Sequence, residues 1–278
     1  VCNFDDDPIL YFNAGPARIP GHHRRVLHYC KTLDVPLIVK ANMSRPAYTY
    51  EENQFGNKPQ RVSQYLSDAR GFLSELLHKA VDKNIFDRPM SAEDLERMRL
   101  FAKSYGDLDD GGKYNGSLRA GYKKDGFVRP EVLHDPMSFD DLLNSRFWER
   151  GLAASENPDW GEPLMEIPGG MDGLIKAFVQ NVKSPIKLNA QVQAVTLQND
   201  GVDITFNRKG KREKLSVDYC FNSIPSHFMN AIHNNLPAEY MRGLNALKPG
   251  HGYKLGLQMK ERFWEREGIY GGMTFTDQ

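Results

Sequence analysis

The sequence predicts a mixed α/β (α+β) fold, and three stretches carry that prediction. Residues 185–225, "PIKLNAQVQAVTLQNDGVDITFNRKGKREKLSVDYCFNSIP", alternate apolar and polar side chains, as a half-buried sheet requires. With "NDG" and "RKGKRE" at the reversals they read as a three-stranded meander, and "DYCFNS" reads as a return strand. Residues from about 60 to 150 read as mostly helical. Short apolar runs near both ends, "PLIVKAN", "PAYTYEE", "YKLGLQMK" and "GIYGGMTFTDQ", read as strands of a further sheet.

In chain order, residues 8–20 give a short strand and a glycine-proline turn. Pro20 suits the first turn of a helix, where its missing N–H costs nothing. An amphipathic helix over 21–34 follows, with Val26, Tyr29, Cys30 and Leu33 on one face and Pro36 as its stop. "PLIVKAN" and "PAYTYEE" come next as strands, with "NQFGNKP" as the turn that follows them. "QYLSDARGFLSELLHKAVDKN" is helical, with Leu66, Phe72, Leu73, Leu76, Leu77 and Val81 as its apolar residues. Two further helices open with capping boxes, Ser91 with Asp94 and Ser138 with Asp141. Between them "GDLDDGGKYNGSLRAGYKKDG" reads as an exposed loop, rich in Gly, Asp, Lys and Tyr. "PGGMDGLIKAFVQNV" supplies a glycine turn and a helix ahead of the meander.

The 278 residues allow a large core or about two domains. Thirty-six basic residues balance 36 acidic ones, so the charge offers no case for nucleic acid or an acidic membrane as partner. No apolar run approaches the roughly 20 residues of a membrane span, and the first residues do not read as a secretory leader, which processing would in any case remove. Cys2, Cys30 and Cys220 show neither a disulfide framework nor metal-ligand spacing. The opening at Val1 and the strand pattern still running at Gln278 read as a piece of a longer polypeptide.

The familiar phosphate-loop, metalloprotease, dithiol and nucleophile-elbow patterns are absent. His22 and His23 are adjacent, and helix neighbours point about 100° apart, so they make a poor joint metal site; no metal is expected. Arg18 stands out by its neighbours. Gly15 allows close backbone approach to a planar ligand, and Pro16 and Pro20 stiffen the loop. A guanidinium fork matches a carboxylate in two bonds. Spacing alone leaves three readings open: a carboxylate clamp, a surface salt bridge or a phosphate contact.

"GPARIPGHHRRVLHYCKTLDVPL" (15–37) resembles a segment of the flavin-dependent L-amino acid oxidases, written roughly G-P-x-R-[IL]-P-x-x-H-R-x-[VL]. "EIPGGMDGL" (166–174) resembles that family's second glycine element, and "KLNAQVQAV" (187–195) its strand at the adenine end of FAD. "YKLGLQMKERFWEREGIYGG" (253–272) resembles its lysine-bearing strand and the K-x-F-W-x-x-x-G-I-x-G-G run. The four elements keep family order; the likeness is loose over about 60–160. The family's N-terminal dinucleotide fingerprint and C-terminal segment are missing. So is the pocket histidine that some members carry before the second glycine element; Trp160 or Glu162 could stand in its region, packing and surface being the plainer roles.

The resemblance implies an FAD-binding α/β portion with the β-meander, a substrate-binding sheet domain and a helical insertion. Residues 1–57 and 249–278 would belong to the substrate-binding domain, 58–162 to the helical domain and 163–248 to the FAD-binding domain. It implies that Gly15, Pro16, Ala17 and Arg18 lie along the flavin, that Arg18 binds the substrate α-carboxylate and that Val192 meets adenine through its backbone. Lys254 would hold a water near flavin N5, buried enough to lose basicity, and Phe263 and Trp264 would pack in the core near the site. The implied reaction is oxidative deamination of an L-amino acid by hydride transfer to FAD, with O2 as second substrate and hydrogen peroxide as product. An amino acid 2-monooxygenase, another flavin amine oxidase and a non-catalytic domain fragment are the rival readings. Expected partners are the small-molecule substrate and O2, with no nucleic acid and no membrane. A homo-oligomer, or assembly with the rest of the same polypeptide, is also expected.

Overall fold

A computed structural model describes residues 2–7, 9–124, 128–146, 156–161, 163–248, 250 and 252–276. The fold is mixed α/β and divides into two compact units, 1–178 with 257–278, and 179–256. In chain order the first unit holds β1 (Cys2–Asn3), β2 (Tyr11–Phe12), β3 (Ile19–Pro20), α1 (Arg24–Thr32), β4 (Ile38–Val39), β5 (Tyr48–Tyr50), β6 (Gln60–Arg61) and α2 (Val62–Asp82). Then come α3 (Ala92–Gly106), β7 (Tyr122–Lys124), β8 (Val132–Leu133), α4 (Phe139–Asn144), β9 (Leu164–Glu166) and α5 (Asp172–Asn181), whose last turn passes into the second unit.

Two small sheets frame the site. One runs β3-β9-β4, all antiparallel, with Ile19 opposite Met165 and Ile38 opposite Glu166. The other places β5 between β6 and the two-residue strand Phe275–Thr276. Pro20 lies in β3 rather than in a helix, and β3 is an edge strand, where a missing N–H costs no ladder bond. Helix α1 therefore starts only at Arg24. Its inner face delivers Cys30 to a core of Ile19, Val35, Ile167 and Ala177, with Val26 and Leu33 against it. Burial pushes the Cys30 thiol up, making it an inert apolar filler. Tyr29 is more exposed than its helical position predicts and packs its ring at a tilt against Phe178, 4.9 Å between centroids.

The helical region forms as its patterns predict. Ser91 accepts a bond from the Asp94 N–H at 3.1 Å, and Ser138 one from the Asp141 N–H at 3.2 Å. The predicted helix after Ser138 is seen over Phe139–Asn144; residues 147–155 of that run lie outside the described ones. Helices α2 and α3 approach closely at Gly106, where a Cβ would stand 2.2 Å from the Ser74 Cβ. Of the apolar residues predicted for α2, Val81 is fully buried but Leu76 is exposed; Tyr65 and Ala69 supply the buried face.

The stretch read as an exposed loop is anchored instead. Leu108 and Tyr114 are buried with Ala102, and the Tyr114 ring lies over Gly71 of α2 and 5.3 Å from Phe72. Asp109 Oδ1 accepts from the N–H groups of Gly111 and Lys113, closing the polar part into a compact turn. An aromatic ring outweighs a run of turn residues because its burial is worth several of their solvated contacts. Residues 125–126, the end of that stretch, lie outside the described residues.

The second unit is the predicted meander: β10 (Ala190–Gln198), β11 (Gly201–Arg208) and β12 (Lys211–Val217). Its second reversal is Lys209–Gly210, both at positive φ, the geometry of a tight hairpin turn. Phe206, Ala194 and Val195 are its buried apolar residues, Ala194 on the face opposite the other two. The return strand is β13 (His233–Asn234), parallel to β10, and not "DYCFNS", where Tyr219 and Phe221 are exposed and make no ladder. Helix α6 (Ala238–Ala246) follows. "YKLGLQMK" is likewise not a strand: Tyr253, Leu255 and Leu257 are exposed, and no described strand pairs with them. Alternation makes a segment able to pair, and pairing still needs a partner edge. Of "GIYGGMTFTDQ" only Phe275–Thr276 is strand. No described helix is long and apolar enough to cross a membrane.

Candidate active site

Arg18 stands at the end of the loop between β2 and β3. Ala14, Gly15 and Pro16 are exposed, while Ala17 and Arg18 are half-buried. A Cβ on Gly15 would meet nothing within 4 Å, so bare backbone faces open space there. At the root of the loop Asn13 Oδ1 accepts the Met171 N–H at 2.9 Å, tying the loop to the turn before α5. Loop and helix enclose a cavity of about 490 Å³. Its wall is apolar through Ile19, Val26, Met171, Leu174 and Ile175, with Arg18, His23 and Asp172 as the ionisable members, and Asp172 is paired with Lys176 at 3.1 Å.

Arg18 also lines a second cavity, of about 450 Å³, formed with Lys40, Asn42, Glu166 and Tyr270–Met273. Gly271 and Gly272 both hold positive φ, and a Cβ on Gly272 would stand 2.4 Å from the Ser44 Cβ, so glycine is required where this segment approaches. Lys40 and Glu166 pair at 2.7 Å, brought together by the β4–β9 register across 126 residues of chain. Burial, and then the Glu166 carboxylate, push the Tyr11 phenol up.

No carboxylate among the described residues lies within ion-pair distance of Arg18. Its guanidinium lies over the Trp160 indole, 4.1 Å from the ring centroid. The turn carrying Trp160 is fixed on several sides. Asn157 accepts from Trp160 N–H and Gly161 N–H, and buried Asn42 donates to the Trp160 carbonyl at 2.8 Å. Trp160 is thus the partner of Arg18 rather than mere packing, which its sequence context did not reveal. Glu162 lies outside the described residues.

His22 and His23 precede α1 instead of lying inside it, so the 100° separation of helix neighbours does not apply. Both imidazoles turn to Asp159, with Nε2 to Oδ1 distances of 3.1 and 3.6 Å.

Val192 and Lys254 belong to the second unit. Val192 is half-buried in β10 beside a β-bulge that takes Gln193 out of the ladder with β11. Lys254 is exposed on a segment that is neither helix nor strand, not buried as expected, and the apolar Tyr253, Leu255 and Leu257 around it are exposed too. Phe263 is exposed and Trp264 half-buried on a short 3₁₀ turn, rather than both packing in the core. Sequence reasoning missed Lys40, Asn42 and Asp159; each meets its partner over more than 100 residues of chain, where no local pattern signals the contact.

Comparison with known proteins follows the same lines. The model of the family "Flavin containing amine oxidoreductase" matches residues 3–277. The L-amino-acid oxidase of Demansia vestigiata is 25% identical over 288 residues, covering 96% of this chain and 52% of the relative. That of Bothrops pictus is 27% identical over 289 residues, covering 96% and 54%. A flavin-dependent L-tryptophan oxidase of Lentzea aerocolonigenes is 29% identical over 113 residues, 40% of this chain and 24% of its own. Among solved structures, a putrescine oxidase variant with redesigned cofactor binding superposes with a TM-score of 0.43 at 11% identity, covering 86% of this chain and 54% of that one. The chain thus spans about half the length of the L-amino-acid oxidases it matches. With a family model covering nearly all of it, and a glycine-proline-arginine loop set between two cavities, the chain belongs to the flavin-containing amine oxidoreductases.

Proposed function

We propose that the full-length protein is an FAD-dependent L-amino acid oxidase. It would convert an L-amino acid, water and O2 to a 2-oxo acid, ammonia and hydrogen peroxide. The observation that carries this reading is Arg18: a half-buried guanidinium with no carboxylate of its own among the described residues, aligned by an indole where two cavities meet. A half-buried cation lacking an anionic partner gives up part of its hydration without compensation, and a substrate carboxylate would supply that partner.

The loop fits a planar cofactor. Gly15 leaves open space where a side chain would stand, and exposed Ala14 and Pro16 add little bulk beside it. A flavin bound there would supply a two-electron acceptor for the hydride of the amino acid Cα, with O2 as the final oxidant. The protein's own task is orientation. Arg18 grips the carboxylate in two bonds, and Trp160 holds the guanidinium plane so that the fork faces one way. The apolar wall of the first cavity, to which α5 contributes Leu174 and Ile175, would limit water on that side of the substrate. Lys254 and Val192 keep the roles implied by the resemblance, water-holding and adenine contact, and those rest on the resemblance alone.

A peroxide-release screen of the full-length protein across the L-amino acids and a set of simple amines tests the reading. Peroxide and a 2-oxo acid from amino acids, with amines inert, support it. An amide product would indicate a monooxygenase, turnover of amines alone would indicate an amine oxidase, and a colourless inert protein would indicate a non-catalytic module.

A further inference from the structure

We propose that His22, His23 and Asp159 form a binding site for a divalent transition-metal cation of the zinc, cobalt or copper type. The three ligand atoms all lie within 4.8 Å of one another. The two imidazole Nε2 atoms stand 3.1 and 3.6 Å from Asp159 Oδ1. A cation about 2.1 Å from each of three tetrahedrally disposed ligands needs them about 3.4 Å apart, so each imidazole already stands near its bound distance from the carboxylate. The rings meet edge to face, 4.6 Å between centroids at 82°, which lets two nitrogens approach one point from different directions.

The ligands are also held in place. Asp159 sits on a turn closed by Asn157, whose Oδ1 accepts the Asp159 N–H at 2.9 Å and whose carbonyl accepts the Trp160 N–H at 2.9 Å. His23 is bonded through its N–H to the Pro20 carbonyl at 3.0 Å, at the end of β3. Two imidazoles and one carboxylate suit borderline cations and disfavour calcium or magnesium, which prefer oxygen. All three side chains are exposed, so a cation can enter, and water would complete its coordination. Bound there, the cation would tie the start of α1 to the turn whose next residue, Trp160, covers Arg18. The site would then stiffen the substrate arginine without touching substrate.

The test uses the full-length protein stripped with chelator and titrated with Zn²⁺ alone, by calorimetry and by metal analysis after dialysis. One equivalent bound, weakened at least about tenfold in His22→Ala, His23→Ala and Asp159→Asn, is expected. Addition of Cu²⁺ should quench tryptophan emission in the wild type and much less in Asp159→Asn, whose isosteric change keeps the fold; circular dichroism checks each variant. No binding at millimolar Zn²⁺, or equal binding by folded variants, overturns the proposal. Because metal uptake is read without turnover, its failure leaves the oxidase reading standing, and the reverse also holds.

Discussion

The guanidinium carbon of Arg18 lies over the indole of Trp160, 4.1 Å from the ring centroid, although 142 positions separate the two residues in the chain. Arginine over an indole keeps its donors at the plane's edge, free for a ligand in that plane. An ion pair would instead have occupied the fork. The contact therefore orients Arg18 while leaving its binding capacity unused, which suits a residue that must grip and release a carboxylate.

Trp160→Leu should raise KM for amino acids more than it lowers kcat. A cation–π contact of this kind is worth about 0.5–2 kcal/mol, so KM should rise by roughly 2- to 30-fold. Trp160→Phe should fall between. Steady-state kinetics of the full-length protein check this, and an unchanged KM in Trp160→Leu would show that the indole does not align Arg18.

Arg18→Ala should cost roughly 2–5 kcal/mol in kcat/KM, the usual penalty for removing one member of a buried charge pair. Arg18→Lys keeps the charge and loses the planar fork and the stacking, so it should recover only part of that loss. If both variants match wild type on amino acids, Arg18 does not hold the carboxylate.

The sequence made the meander, the capped helices and the glycine-proline-arginine loop legible because each rests on local rules: alternation, capping and turn chemistry. It misled where tertiary contact decides. Tyr114 looked like part of a solvated loop because its neighbours are Gly, Asp and Lys, yet its ring finds a flat seat on Gly71, 43 positions earlier. "YKLGLQMK" alternates like a strand but meets no partner edge among the described residues. Arg18 could be singled out, whereas Trp160 could not, since nothing local distinguishes a tryptophan that stacks from one that packs.

Gly71→Ala offers a test in which two rules oppose. In an exposed helix interior, alanine for glycine stabilises by about 1 kcal/mol. At Gly71 a Cβ would fall 2.2 Å from the Tyr114 ring, whose hydroxyl and backbone N–H are bonded to Asp68 and Glu75, so it has little freedom to withdraw. Overpacking of this kind costs about 1–3 kcal/mol, so the variant should be less stable than wild type. Thermal unfolding decides it, and a raised Tm would mean that the ring moves freely.

Asp68 makes stability depend on pH in a stated direction. It is buried in α2 and accepts bonds from the Tyr114 hydroxyl at 2.6 Å, the Met137 N–H at 2.8 Å and the Gln64 amide at 3.3 Å. Burial raises its pKa above the ordinary 3.8, and those donors, led by Tyr114, only partly oppose the rise. The folded state thus holds this proton more tightly than the unfolded chain. The group's contribution is full below 3.8 and is lost as pH rises through the folded value, at up to about 1.4 kcal/mol per pH unit. Asp68→Asn cannot titrate, so the stability of wild type relative to it should fall with rising pH across that window. Tyr114→Phe removes the strongest opposing donor and should carry the fall to higher pH. Parallel stability-versus-pH curves for all three proteins would show that Asp68 titrates alike in the folded and unfolded chain.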